Sequence, residues 1–82
     1  MTATLRALSA FERFISGSPA AAVYFSGPDC GVCTALGPKV EALFRDRFPR
    51  IALARVNVAE AGELAAQQGV FAVPTLLVFF DG

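Results

Sequence analysis

Cys30-Gly31-Val32-Cys33 directly follows an apolar run, Ala20–Phe25, and opens a helical pattern. A run that is apolar at every position reads as a strand covered on both faces. This succession of strand, cysteine pair and helix constrains the fold more tightly than anything else in the chain. The i,i+3 spacing stacks both sulfurs on one face of a helix's first turn. Two thiols held that close form and break a disulfide reversibly. A helix N-terminus presents free backbone N–H groups and the positive end of the dipole, which stabilise a thiolate. The thiolate is the reactive form of cysteine, so the arrangement points to thiol–disulfide exchange.

Other uses of the pair are weaker. Cys-x-x-Cys is a short pattern that also occurs by chance, and it is half of a zinc or iron–sulfur site. Tetrahedral zinc would need two further Cys or His ligands. The chain has two Cys and no His. One chain cannot complete such a site, which leaves only a metal shared between two chains. No metal or cofactor is therefore expected. A purely structural disulfide would close a loop of four residues and constrain the unfolded chain little. The absence of His also rules out Ser-His-Asp and Cys-His mechanisms.

The 82 residues make one domain, 1–82, with a modest core. A high apolar fraction (55%) and few charges (17%) offset the small size. The net charge is zero and no basic block occurs, so neither nucleic acid nor an acidic membrane surface is an expected partner. The longest apolar runs, Ala20–Phe25 and Leu76–Phe80, are far too short to span a bilayer. Arg6, Glu12 and Arg13 interrupt any secretory apolar segment at the N-terminus. The expected compartment is the cytoplasm, where the pair rests mostly as a dithiol.

Ala3 to Leu8 is a weak strand candidate. Ser9, with Glu12 three residues on, reads as a capping box. Leu8, Phe11, Phe14 and Ile15 recur at helical spacing, which predicts a helix from about Ala10 to Ile15. Gly17 and Pro19 end it. In the helix from Gly31 to Phe48, Val32, Leu36, Val40, Leu43 and Phe44 are expected on one buried face. Glu41 and Arg45 are expected as an exposed i,i+4 pair, and Pro38 should kink the helix. Ile51–Val58 alternates as a strand does. Glu60–Gln68 reads as a helix with Ala61, Leu64 and Ala65 inward, stopped by Gly69. Pro74 introduces a last strand, Leu76–Phe80, and Asp81-Gly82 is a type I′ turn signal. The order is β-α-β-α-β-α-β. The helical linkers imply parallel pairing among the earlier strands, with the last strand an antiparallel edge.

At this point the chain resembles the thioredoxin family. The residues that carry the resemblance are Ala20–Phe25, Cys30–Cys33, Pro38 within its helix, Arg55–Val58, Val73-Pro74-Thr75 and Phe79–Gly82. They extend over nearly the whole chain. Cys-x-x-Cys followed about forty residues later by Val-Pro-Thr is more specific than either alone. The resemblance implies an α/β, three-layer α/β/α fold with a mixed sheet, truncated after the fourth strand. It implies a cis Val73–Pro74 bond beside the cysteines; a cis peptide is cheap only before proline. It further implies Cys30 as nucleophile, Cys33 as resolving thiol, and substrate contacts from Gly31, Val32, Val73 and Pro74. The backbone of Val73 would pair with an extended substrate peptide.

The chain departs from the family at the site. Asp29 precedes the motif where thioredoxins usually carry Trp, and a carboxylate there should oppose the Cys30 thiolate. Tyr24 stands where the family has a buried acid that helps move the proton of the resolving cysteine. A tyrosine is a poor base near neutral pH. Arg55, without that acidic partner, reads as a surface strand residue. One face of Leu76–Phe80 should meet the helix after Cys30–Cys33, the strand should be an exposed apolar edge, and self-association through it is the simplest cover. Two functions follow. One is a dithiol reductant of protein disulfides, with an external reductase as electron donor. The other is a non-enzymatic module of the same fold that docks a partner or senses redox state.

Overall fold

The computed structural model describes residues 2–81. The strands are β1 (Ala3–Thr4), β2 (Ala20–Ser26), β3 (Ala52–Asn57) and β4 (Thr75–Phe80). The helices are α1 (Leu8–Ser16), α2 (Gly31–Arg47) and α3 (Gly62–Gln67). The sheet order is β1-β3-β2-β4. β3 is parallel to both β1 and β2, and β4 is antiparallel to β2. Element order and mixed pairing are those expected from the sequence.

The apolar β2 run has its cause in this topology. β2 is paired on both sides and covered on both faces, so Ala21 through Phe25 are all buried. On one face Val23 and Phe25 join Ala54 and Val56 of β3 under α1 and α3, with Phe11, Leu64 and Ala65. On the other, Ala22 and Tyr24 meet Val40 and Phe44 of α2. The sheet thus lies between two helical layers, the expected α/β/α arrangement.

Local expectations are corrected in four places. First, β1 is shorter than the Ala3–Leu8 candidate, and α1 begins at Leu8 with Ala7 as its N-cap and no side-chain cap bond. Ser9 therefore lies inside the first turn. Burial of Leu8 against the core fixes the start, overriding a cap worth about 1 kcal/mol. Gly17 ends α1 at φ −82°, so its use is spatial: a Cβ there would stand 3.0 Å from the Arg13 carbonyl oxygen.

Second, the buried face of α2 is Cys33, Val40 and Phe44. Val32, Leu36 and Leu43 are exposed, because they form a neighbouring stripe that turns away from the sheet. Third, β4 packs its inner residues against the α1 side rather than against α2. Leu77 and Phe79 join that core, with the Phe79 ring edge-on to Phe11 at 5.6 Å. Leu76, Val78 and Phe80 are left 41%, 43% and 68% exposed on the opposite face. Fourth, Arg45 pairs with Asp46 at 3.0 Å, and Glu41 pairs instead with Arg55. Asp81 has the positive φ (58°) that opens a type I′ turn, while Gly82 lies outside the described residues.

Candidate active site

The site is built at the end of β2 where the chain leaves the sheet. Ser26, Gly27 and a turn at Pro28-Asp29 carry it to Cys30, the N-cap of α2. Asp29 is exposed and has φ 57°, a conformation that Asp tolerates better than most residues. Cys30 is extended (φ −104°, ψ 94°) and its Sγ accepts the Cys33 N–H at 3.1 Å, in the place of a capping oxygen. The Thr34 N–H and hydroxyl both donate to the Cys30 carbonyl, at 3.1 and 3.2 Å. These bonds tie Cys30 to the first helical turn.

Cys30 and Cys33 are joined as a disulfide, with Cα atoms 5.2 Å apart. The two differ in access. Cys30 is half-buried, whereas Cys33 is buried at 4% exposure. Gly31 and Val32, between them, are exposed. The Val73–Pro74 bond is cis. It lies at the same end of the sheet, since Thr75 is the register partner of Phe25. Gly27 packs beside it: a Cβ there would stand 3.3 Å from the Val58 side chain, a tight contact, and 3.5 Å from that of Val73, an ordinary one. The structure thus gathers Cys30, Cys33, Gly31, Val32, Asp29, Val73 and Pro74 around one end of β2.

Tyr24 reaches the site from below. Its hydroxyl donates to the Cys33 carbonyl at 3.1 Å, and its ring passes under Gly37. Burial pushes its phenol above the usual 10.0, so it is neutral at physiological pH. It therefore holds the first turn of α2 by a hydrogen bond and supplies no base.

Behind Cys33 is a cavity of about 300 Å³, whose walls include Tyr24, Thr34, Glu41 and Arg55. Tyr24 and Arg55 are register partners on β2 and β3, which is why both open onto it. The Arg55 guanidinium lies 3.6 Å from the Glu41 carboxylate, and the two side chains are 55% and 42% exposed. Arg55 also donates to the Thr4 hydroxyl at 3.4 Å. Arg55 is the surface strand residue that was expected, and the carboxylate it meets there comes from α2. Glu41 was not legible as a site residue, although Cys33, Gly37 and Glu41 recur at i, i+4 and i+8 on one helix.

The thioredoxin family model matches residues 3–82. The chain belongs to the thioredoxin family. It is 38% identical over 78 residues to thioredoxin-like protein YdfQ of Bacillus subtilis, covering 95% of this chain and 69% of that protein. It is 42% identical over 71 residues to probable thioredoxin-2 of Caenorhabditis elegans, covering 87% of this chain and 49% of that one. The crystal structure of Fasciola hepatica thioredoxin superposes with a TM-score of 0.91 at 32% identity, covering 99% of this chain and 79% of that one. The chain thus spans between about half and four-fifths of the length of these thioredoxins. Family membership together with the Cys30–Cys33 pair supports thiol–disulfide oxidoreductase chemistry in the general sense.

Proposed function

We propose that this thioredoxin-like chain is a dithiol reductant of protein disulfides. The observation that carries the reading is the asymmetry of the pair: a half-buried Cys30 capping a helix, bonded to a buried Cys33. In the reduced form the Cys30 thiolate faces the free N–H groups of α2, which favour its charge. It attacks a substrate disulfide, forming Cys30–S–S–R and expelling the other substrate sulfur as a thiolate. Cys33 then loses its proton and attacks Cys30 Sγ, forming the Cys30–Cys33 disulfide and releasing RS⁻. Two electrons pass from the dithiol to the substrate, and both substrate sulfurs leave as thiols once protonated.

Val73 and Pro74 lie at the same end of the sheet as the motif with its exposed Gly31 and Val32, and in this reading they seat the substrate peptide, Val73 through its backbone. An external reductase returns the disulfide to the dithiol, and the cytoplasm is the compartment that keeps it so. Self-association through the β4 edge belongs to the same reading. The non-enzymatic alternative, a docking or redox-sensing module, draws on Tyr24 in the place of an acid and on the exposed apolar residues of β4.

Reduction of insulin by the isolated chain separates the two functions. Cys30→Ser should abolish it. Cys33→Ser should trap a mixed disulfide on Cys30, identifiable by mass spectrometry. Adducts found on Cys33 in place of Cys30 would reverse the two roles.

A further inference from the structure

The resolving step needs a proton acceptor. Cys33 is buried, and its thiol must become a thiolate before it attacks the mixed disulfide. An ordinary thiol titrates near about 8.5, so help at neutral pH has kinetic value. Beside Cys30 the exposed carboxylate is that of Asp29, on the face that the bound substrate covers in that step. The cavity on the other side of Cys33 is the remaining route. Of its walls, Tyr24 and Arg55 are not bases at neutral pH: one is a phenol raised by burial and the other a guanidinium. Among the described residues that line it, the only carboxylate is that of Glu41.

We propose that Glu41 is the proton acceptor for Cys33 in the resolving step, reached through water in the cavity the two residues share. The proposal rests on the dithiol reading above. A volume of about 300 Å³ admits several waters, and Thr34, Tyr24, Glu41 and Arg55 supply polar partners for them. The Arg55 guanidinium holds the carboxylate at the mouth of the cavity. In the step itself the S–H bond of Cys33 breaks and its proton passes through water to a Glu41 oxygen. The sulfur's electron pair forms the bond to Cys30 Sγ, and the Cys30–substrate bond breaks onto the substrate sulfur. Glu41 then gives its proton to solvent, where the leaving thiolate is protonated. Tyr24 keeps the Cys33 turn in place without taking part in the transfer. The charged groups beside Glu41 are Arg55 from β3 and Arg45 one turn further along α2, and Tyr24 from β2 lines the same cavity.

The test is single-turnover reduction of a disulfide peptide by the pre-reduced chain, quenched in acid, with mixed disulfide and product followed separately. Glu41→Gln should form the mixed disulfide at the parent rate but resolve it more slowly, on the order of 10²-fold at pH 7. Glu41→Asp should recover part of the loss. The deficit should shrink as pH rises and hydroxide takes over as proton acceptor. Equal slowing of both steps, a deficit that does not change with pH, or unaltered resolution in Glu41→Gln would overturn the proposal. Arg55→Gln, which loosens the carboxylate but keeps it, should lose no more than Glu41→Gln, and a larger loss there would also overturn it. A parent chain that forms no mixed disulfide at all would instead remove the dithiol reading, and this proposal with it.

Discussion

Replacing Tyr24 with Phe deletes one oxygen and separates holding from chemistry. The hydroxyl donates to the Cys33 carbonyl at 3.1 Å, a neutral bond in a buried setting. Such a bond contributes about 0.5–1.5 kcal/mol net. The lower half of that range is expected, because a carbonyl oxygen has two lone pairs and Cys33 also accepts within the helix. The ring stays, so its packing under Gly37 and against Val40 and Phe44 is kept. For a domain of this size about 1 kcal/mol corresponds to about 4–8 °C in Tm. Urea denaturation of parent and Tyr24→Phe, each in oxidised and reduced form, measures the loss. The resolving rate should change by less than about threefold, the equivalent of about 0.6 kcal/mol. A tenfold slower resolution with unchanged stability would show that the phenol carries the proton after all.

The same variant has a pH signature. Burial raises the folded Tyr24 phenol above 10.0, so the native state holds this proton more tightly than the unfolded chain. The stability that follows is fully present below pH 10.0 and is lost as pH rises through the folded value. Alkaline unfolding should therefore steepen above pH 10 in the parent relative to Tyr24→Phe. Tyr24 is the only tyrosine in a chain without tryptophan, so phenolate absorbance reports on it alone. A phenol that titrates at the free value while the chain is still folded would contradict its burial.

Asp29→Asn should speed alkylation of Cys30 at about pH 6–7, because a neighbouring carboxylate disfavours the thiolate. Asn is the informative replacement, since Trp would bring a bulky side chain to a φ of 57°. Iodoacetamide rates that do not change would mean that the exposed carboxylate is screened by solvent. The 82-residue chain should self-associate through β4, whose Leu76, Val78 and Phe80 lie exposed beside an unpaired edge. Val78→Lys should shift it to monomer in sedimentation velocity, and a parent that is monomeric at high concentration would refute this.

The positions of β2, β3 and β4, the element order and the cysteine-bearing helix start were legible in the sequence. Alternation in β3 and the unbroken apolar run of β2 record burial directly, and Cys-x-x-Cys with Val73-Pro74-Thr75 records the site. Among the features that were not legible, two in the helices have different reasons. In α2 the sequence carries two apolar stripes, Cys33-Val40-Phe44 and Val32-Leu36-Leu43, and periodicity merges them into one face. Only the position of the sheet decides which of them is covered. At α1 a good cap at Ser9 lost to the burial of Leu8, a tertiary term that local pattern does not contain.

The Glu41–Arg55 pair shows why the site was harder to read than the fold. Each residue taken alone belongs to a solvated face, one on a helix and one on a strand. Their i,i+4 and strand contexts pointed to other roles, an Arg45 partner for Glu41 and open surface for Arg55. What joins them is the register of β2 against β3, which sets Arg55 beside Tyr24, and the packing of α2 over that pair. A tyrosine in place of an acid under Cys33 therefore does not leave the region without a carboxylate. It fills the buried position with a neutral ring that hydrogen-bonds the helix, and the negative charge sits at the mouth of the cavity, in contact with water. A carboxylate there keeps part of its hydration. Its cost to proton transfer is distance, which is why the loss in Glu41→Gln is expected at the lower end of general-base effects, about 10²-fold.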